Sequence, residues 1–404
     1  MISCLGCGAT LPKPFLDLGT MPLANALVRP EDAAKPEPTH PLAVALCSSC
    51  RLVQLTHRVP PEELFADYPY FSAFSESFLA HARRMTDALC VRFSPRRVLE
   101  IASNDGYLLQ YFAQRGVSVL GVEPARNVAR AAEERGVPTL TRFFGPDAVG
   151  EILERFGPAD LVIGNNVLAH VPAINGFLDA TRRCLGPSGV AVFEFPHLLE
   201  LLARIEFDTV YHEHVFYYSL SAVKTLAERA GLSLFDVEAH PVHGGSLRVF
   251  LSPSARDAEG RVSALLDRER AEGLRSPERY ESFGRTVAAL REALRSRLRE
   301  RKDAGKRLAA YGAPAKGNVL LNYCGIGRDL LDFTVDRSPH KQGMFLPGSR
   351  LPVRPPAALL EEMPDCTLLL PWNLENEIVA QQREYLDRGG RFLVPIPYPR
   401  EVAA

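Results

Sequence analysis

Apolar residues in the middle of the chain come in short runs, each closing on small or polar residues and each followed by apolar positions at helical spacing. Val98 to Ile101 ends at Ala102-Ser-Asn-Asp-Gly106, and helical spacing resumes at Tyr107-Leu-Leu109, which predicts strand, tight turn and helix. Val117 to Val122 predicts a second strand that closes on Glu123. Asp160-Leu-Val-Ile-Gly164 predicts a third, closing on Asn165-Asn166, and a helix carrying Phe177, Leu178 and Leu185 leads to a fourth at Gly189 to Phe193. This alternation predicts an α/β fold with a Rossmann-like, doubly wound sheet, whose ligand lies beyond the carboxyl ends of the strands. Glu100, Ser103, Asn104, Gly106, Glu123, Asn165 and Asn166 all map to that edge.

The turn chemistry narrows the ligand. A carboxylate at Glu123 is placed to accept both hydroxyls of a ribose. A dinucleotide site needs three glycines to admit a pyrophosphate, whereas this turn holds one glycine, Gly106, and an aspartate. Gly106 lets the turn approach a ligand, and Asp105 makes the loop hostile to phosphate. S-adenosylmethionine, a cationic nucleoside without phosphate, fits better than NAD. A structural βα unit without ligand is the plain alternative, and the recurrence of polar residues at every strand end speaks against it.

A second strand-turn-helix pattern begins at Arg307. The loop Tyr311-Gly-Ala-Pro-Ala-Lys-Gly-Asn318 offers Lys316 for phosphate, and the next strand, Asp332 to Asp336, ends in an aspartate. The glycine spacing does not match a dinucleotide fingerprint, so a nucleoside diphosphate carried by a substrate is the expected occupant, with Lys316, Asn318 and Lys341 on its edge. The later strand Thr367 to Leu370 closes at Pro371-Trp-Asn373. Residues 253 to 307 have a charged, helical pattern with Leu290, Leu294 and Leu298 four apart; a solvated connecting helix, free or packed on its neighbours, suffices to explain them.

Length divides these patterns among domains: 404 residues exceed one core. The expected division is 1–62, 63–252 and 253–404. Lys plus Arg is 47 against 48 for Asp plus Glu, which leaves no basic field for nucleic acid or an anionic membrane. No run of 18 apolar residues and no signal peptide is evident, so a cytoplasmic protein is expected. In that reducing compartment cysteines point to metal or buried thiols before disulfides. Cys4-Leu-Gly-Cys7 and Cys47-Ser-Ser-Cys50 are two knuckles 39 residues apart, able to arrange four thiolates around one zinc. Four thiolates leave no place for water, so this zinc is expected to be structural; redox pairs or chance spacing are the alternatives. Nothing demands a protein partner, and a monomer is expected.

Two further stretches carry candidate chemistry. Asp67-Tyr-Pro-Tyr-Phe-Ser-Ala-Phe-Ser-Glu-Ser77 interleaves aromatics and hydroxyls, including Tyr70 and Ser75, before a helix, where they would roof a polar ligand or simply cap the helix. Tyr211-His-Glu-His-Val-Phe-Tyr-Tyr218 packs two histidines, a glutamate and three tyrosines into eight residues. It is the best catalytic candidate, against zinc binding through His212 and His214 or buried, satisfied histidines. His243-Gly-Gly-Ser246 is either a backbone approach to a ligand or a plain turn.

Taken together, these motifs resemble the nucleotide-sugar C-methyltransferases of deoxysugar pathways in antibiotic biosynthesis. The resemblance spans the whole length through both cysteine pairs, Glu100-Ile-Ala-Ser-Asn-Asp-Gly106, Asn165-Asn-Val-Leu-Ala-His170, Tyr211-His-Glu-His214 and Tyr311-Gly-Ala-Pro-Ala-Lys-Gly-Asn318; Ala102 stands where glycine is expected and Pro314 where serine is common. It implies a small zinc-binding domain, a class I methyltransferase domain and a second Rossmann-like domain for the sugar nucleotide. It also implies methylation of C3 of a dTDP-4-keto-deoxyhexose, with His214 as base, Glu213 orienting it or the sugar, Tyr211 on the enolate oxygen and His170 positioning the ketone. A methyltransferase acting on oxygen or nitrogen, and a sugar-nucleotide binding protein without catalysis, are the competing functions.

Overall fold

A computed structural model describes residues 2–60, 63–64 and 76–403. Three sheets organise it. The N-terminal sheet pairs β1 (Leu16–Met21), β2 (His40–Leu46) and β3 (Val53–Leu55) antiparallel. The central sheet contains β4 (Arg97–Ile101), β5 (Ser118–Val122), β6 (Thr139–Leu140), β7 (Ala159–Asn165) and β8 (Leu185–Pro196). Between these and the remaining central strands comes β9 (Phe216–Tyr217), which leaves the central domain and joins the N-terminal sheet beside β3.

With β10 (Ser233–His240) and β11 (Ser246–Ser252), the central sheet has the order β10-β11-β8-β7-β4-β5-β6. β4 to β8 run parallel, whereas β11 is antiparallel to both β8 and β10. Parallel strands are covered by helices on both faces, so they read as continuous apolar runs, as Val98-Leu-Glu-Ile101 does. The exception inside that run is Glu100, which is wholly buried.

The C-terminal sheet consists of β12 (Leu308–Tyr311), β13 (Thr334–Val335), β14 (Val353–Arg354), β15 (Cys366–Leu369), β16 (Phe392–Val394) and β17 (Arg400–Val402). Its order is β14-β13-β12-β15-β16-β17, parallel except for the final strand. The loop after β12 therefore sits at the switch between the two halves of the sheet, where such sheets bind ligands.

The charged segment 253–307 is more than a solvated connection. Helix α1 (Glu76–Phe93) precedes β4, whereas α2 (Pro277–Asp303) buries Tyr280, Phe283, Val287, Leu290, Leu294 and Leu298. These positions, three and four apart, share a core with Leu16, Leu18, Val44 and the C-terminal domain. Each is worth about 1.5–3 kcal/mol of transfer free energy. Ahead of it, the helix Gly260–Ala271 contributes Glu269, whose buried carboxylate accepts the N–H groups of Leu220 and Ser221 at 2.5 and 3.0 Å and pairs with His197 at 2.8 Å. It thereby caps the helix Leu220–Arg229.

Candidate active site

The carboxyl ends of β4, β5 and β7 form one edge. Glu123, just past β5, accepts the N–H of Asn104 on Oε2 at 3.0 Å and that of Ala125 on Oε1 at 2.8 Å. Burial pushes its pKa up, and the two backbone donors oppose the shift. In the turn after β4, Ala102, Asn104 and Gly106 have φ of +53°, +49° and +76°. The left-handed conformation explains why glycine is expected at 102. At Gly106 the left-handed backbone and close packing both call for glycine, since a Cβ there would lie 2.9 Å from Val137 Cγ2.

Asp105 also departs from expectation. It is buried and paired with Arg135 at 2.7 Å, so its charge is spent inside the protein. Ser103 is buried with its hydroxyl turned to Gly121 between β4 and β5. Desolvation holds Glu100 well above the usual carboxylate range, opposed by the neighbouring Tyr107 hydroxyl. Tyr107 in turn accepts Asn165 Nδ2 at 3.1 Å, and Asn165 Oδ1 is buried with no hydrogen-bond partner. Asn166, with φ +55°, donates its N–H to Glu194 O at 2.7 Å.

Beside Glu123 an open cavity of about 470 Å³ is lined by Pro124, Arg126, Arg142, Phe143, Phe144 and Asp147. These residues escaped the sequence reading; the signal available was the Phe143-Phe144 pair just after β6, with Phe143 53% exposed. The Glu123 carboxylate next to an aromatic-walled cavity suits the ribose hydroxyls and base of S-adenosylmethionine.

The loop between Phe207 and Val215 is held from three sides. Val215 donates its N–H to Ala169 O at 2.7 Å and accepts that of Leu55, on β3, at 2.9 Å. Within it, His214 Nδ1 lies 3.0 Å from Thr209 O. A carbonyl only accepts, so Nδ1 carries the proton and Nε2 presents its lone pair. That lone pair faces the Tyr211 hydroxyl at 2.7 Å. His170 stacks edge-on against His214 with ring centroids 4.8 Å apart, and desolvation lowers its pKa to about 4.

The other two polar members of the loop diverge. His212 is buried against His40 O at 3.2 Å, whereas His214 faces Thr209 and Tyr211, and desolvation takes His212 to about 4; among the described residues neither histidine belongs to a group of three metal-ligating side chains. Glu213 is buried, pushed up to about 7 by desolvation, and accepts Asn25 Nδ2 at 2.5 Å. Thr209 and Asn25 were not foreseen from sequence.

Across from this loop lies the turn after β12. Lys316 sits 4.2 Å from the Trp372 ring centroid and reaches Asn373, while Trp372 Nε1 donates to Asp208 at 2.8 Å. Burial lowers the Lys316 pKa, opposed by Asp208 and Glu206. Those carboxyls are themselves raised by burial, to about 6 and about 8. Lys341 Nζ donates to Ala313 O at 2.8 Å on the same turn. Asn318, expected on the substrate side, points elsewhere: it is buried and donates Nδ2 to Ala24 O at 2.6 Å, because its helix packs on the segment after β1. The Gly244 backbone approaches a protein group, since a Cβ there would lie 2.5 Å from the Glu206 carboxylate oxygens. Tyr70 and Ser75 lie outside the described residues.

Cys4, Cys7, Cys47 and Cys50 present their sulfurs within 4.8 Å of one another. The Cys4–Cys50 and Cys7–Cys47 separations are both 3.5 Å, close to the ~3.8 Å edge of a tetrahedron with Zn–S bonds of about 2.3 Å. The donor set fits a closed, structural zinc site.

Comparison with known proteins agrees along the chain. Residues 4–65 match a zinc binding domain family, 75–237 a methyltransferase domain family and 241–397 the family described as C-methyltransferase C-terminal domain. The C-methyltransferase NovU of Streptomyces niveus is 40% identical over 99% of this chain and 97% of its own length. A ubiquinone biosynthesis O-methyltransferase of Paramagnetospirillum magneticum is 33% identical over 28% of this chain and 45% of that protein. Among solved structures, the PH0226 protein of Pyrococcus horikoshii is 20% identical, covers 48% of this chain and 99% of its own, and has a TM-score of 0.36. Among the described residues no helix is long and apolar enough to cross a membrane. The full-length match to NovU, joined to the cofactor edge and the four-thiolate cluster, shows that this chain belongs to the NovU family of zinc-binding, S-adenosylmethionine-dependent C-methyltransferases.

Proposed function

We propose that the enzyme methylates C3 of a dTDP-linked 4-keto-deoxyhexose in deoxysugar assembly for antibiotic biosynthesis, with His214 as the base. A carbon beside a ketone becomes nucleophilic only when its proton is removed and the charge arriving on oxygen is stabilised. Glu123, Asn165 and the turn after β4, with the cavity lined by Pro124 and Phe143, would hold S-adenosylmethionine, which would supply the electrophilic methyl. His214 Nε2, its lone pair fixed by the Nδ1–H bond to Thr209, takes the C3 proton, and the C–H electron pair moves into the C3–C4 bond as charge builds on the C4 oxygen. The Tyr211 hydroxyl, which donates to Nε2 at 2.7 Å without substrate, turns its O–H to that oxygen as the sugar enters and so frees the Nε2 lone pair for the C3 proton. His170, neutral at physiological pH, positions the ketone. Glu213 orients the sugar, while Tyr70, Ser75, Lys316 and Lys341 hold the remainder of the sugar nucleotide.

The observation that carries this reading is the Thr209–His214–Tyr211 hydrogen-bonded chain, which presents an unprotonated imidazole nitrogen and a phenol at one point beside the cofactor edge. Incubation with S-adenosylmethionine and a dTDP-4-keto-2,6-dideoxyhexose tests it, followed by NMR of the product. A new methyl on C3 is expected. A methyl on oxygen or nitrogen, or sugar-nucleotide binding without turnover, overturns it.

A further inference from the structure

The segment leaving β1, residues 22–28, touches all three domains. Val28 and Phe345 exchange both backbone hydrogen bonds, at 2.9 and 2.8 Å, and Asn318 Nδ2 donates to Ala24 O at 2.6 Å. The Asn318 backbone is itself fixed, its main-chain carbonyl accepting Asn322 Nδ2 at 2.7 Å while the same Asn322 amide reaches Pro347 O at 3.0 Å. The segment is thus fastened at two points to the C-terminal domain, which carries Lys316 two residues before Asn318. In the opposite direction Asn25 donates Nδ2 to Glu213 Oε1 at 2.5 Å across 188 residues of sequence. In both contacts the partner is an acceptor, so each amide presents its nitrogen.

We infer that Asn25 and Asn318 are positioning residues that couple the C-terminal domain to the catalytic loop, Asn318 fixing Ala24 and Asn25 thereby fixing the Glu213 carboxylate. The inference rests on the assignment of Glu213 to the sugar site. Asn25 lies exposed at the end of this connection and Glu213 is buried, so the hydrogen bond is the polar contact found for that carboxylate. A donor to a buried carboxylate favours its ionised form, and Asn25 opposes the desolvation that lifts Glu213 to about 7.

A substrate-free measurement separates this inference from the proposed reaction. The protonated-carboxyl infrared band present in wild type and absent in Glu213→Gln is followed against pH. In Asn25→Ala, a change at an exposed side chain that leaves the fold intact, the band should titrate about one to two pH units higher, the equivalent of one hydrogen bond to a charged group. Asn318→Ala should shift it in the same direction by less, and the double variant by no more than Asn25→Ala alone; Asn318→Ser serves if the alanine variant fails to fold. With substrate, both single variants should lower kcat more than they raise KM. An unmoved titration in Asn25→Ala, or additive shifts in the double variant, overturns the inference even if the product carries its methyl on C3. A heteroatom-methylated product overturns the proposed reaction and leaves the titration result standing.

Discussion

Replacing His214 by asparagine tests the proposed base most directly. The Nδ1–H bond to Thr209 at 3.0 Å and the Tyr211 hydroxyl at 2.7 Å hold the ring in one orientation and one tautomer, so the nitrogen that takes the proton is defined. Losing a positioned general base lowers turnover by about 10² to 10⁴, or roughly 2.7–5.4 kcal/mol of barrier. Tyr211→Phe removes the hydrogen bond that stabilises the C4 oxygen and should cost about 10- to 100-fold. Because both groups act on one proton transfer, the double variant should lose little beyond His214→Asn alone. Turnover is read by mass spectrometry, and exchange of the C3 proton for solvent deuterium reports the first step alone. Zinc content and S-adenosylmethionine affinity serve as controls for folding. Full turnover by a folded, zinc-loaded His214→Asn refutes the assignment, and additive losses in the double variant refute the shared path.

Stripping zinc with a chelator should lower turnover about tenfold or more, because the N-terminal sheet that pairs with β9 depends on the metal; undiminished turnover in the metal-free protein would sever that link. Ala102→Gly relieves a left-handed alanine and should stabilise the protein by about 0.5–1 kcal/mol in urea unfolding, whereas a lowered midpoint would mean that the methyl's packing outweighs the strain. Glu213 has a folded pKa of about 7, above its unfolded value of about 4.3, so the folded state binds the proton more tightly. Its stability contribution is therefore intact at acid pH and declines as pH rises towards 7. Glu213→Gln should accordingly be more stable than wild type by about 1–3 kcal/mol at pH 8 and similar to it near pH 4, and a pH-independent difference would contradict the sign.

The strand ends were legible because parallel strands bury both faces and so announce themselves as unbroken apolar runs; β4, β5, β7, β12 and β15 all appear where the pattern predicts them. The four cysteines were legible because metal geometry constrains spacing within each knuckle. Tertiary pairing was not legible. Nothing in Asp105 indicates that Arg135 neutralises it, and nothing in Asn318 indicates that it faces Ala24. The charged pattern of 277–303 conceals a buried stripe because its arginines and glutamates dominate the composition while Tyr280 to Leu298 occupy one face. Phe143 and Phe144 went unnoticed for the opposite reason: they follow a two-residue strand too short to register as periodicity.

The two-residue strand β9 has a consequence for how this protein can be divided. Since Phe216 and Tyr217 complete a sheet that begins at Leu16, the boundary between the metal-binding and methyl-transferring portions is crossed by backbone hydrogen bonds as well as by side chains. A chain trimmed of its first 60 residues would keep the entire cofactor edge yet lose the scaffold on which the imidazole loop hangs. Exchanging N-terminal portions between relatives should succeed only where Leu55 and Val215 retain their register.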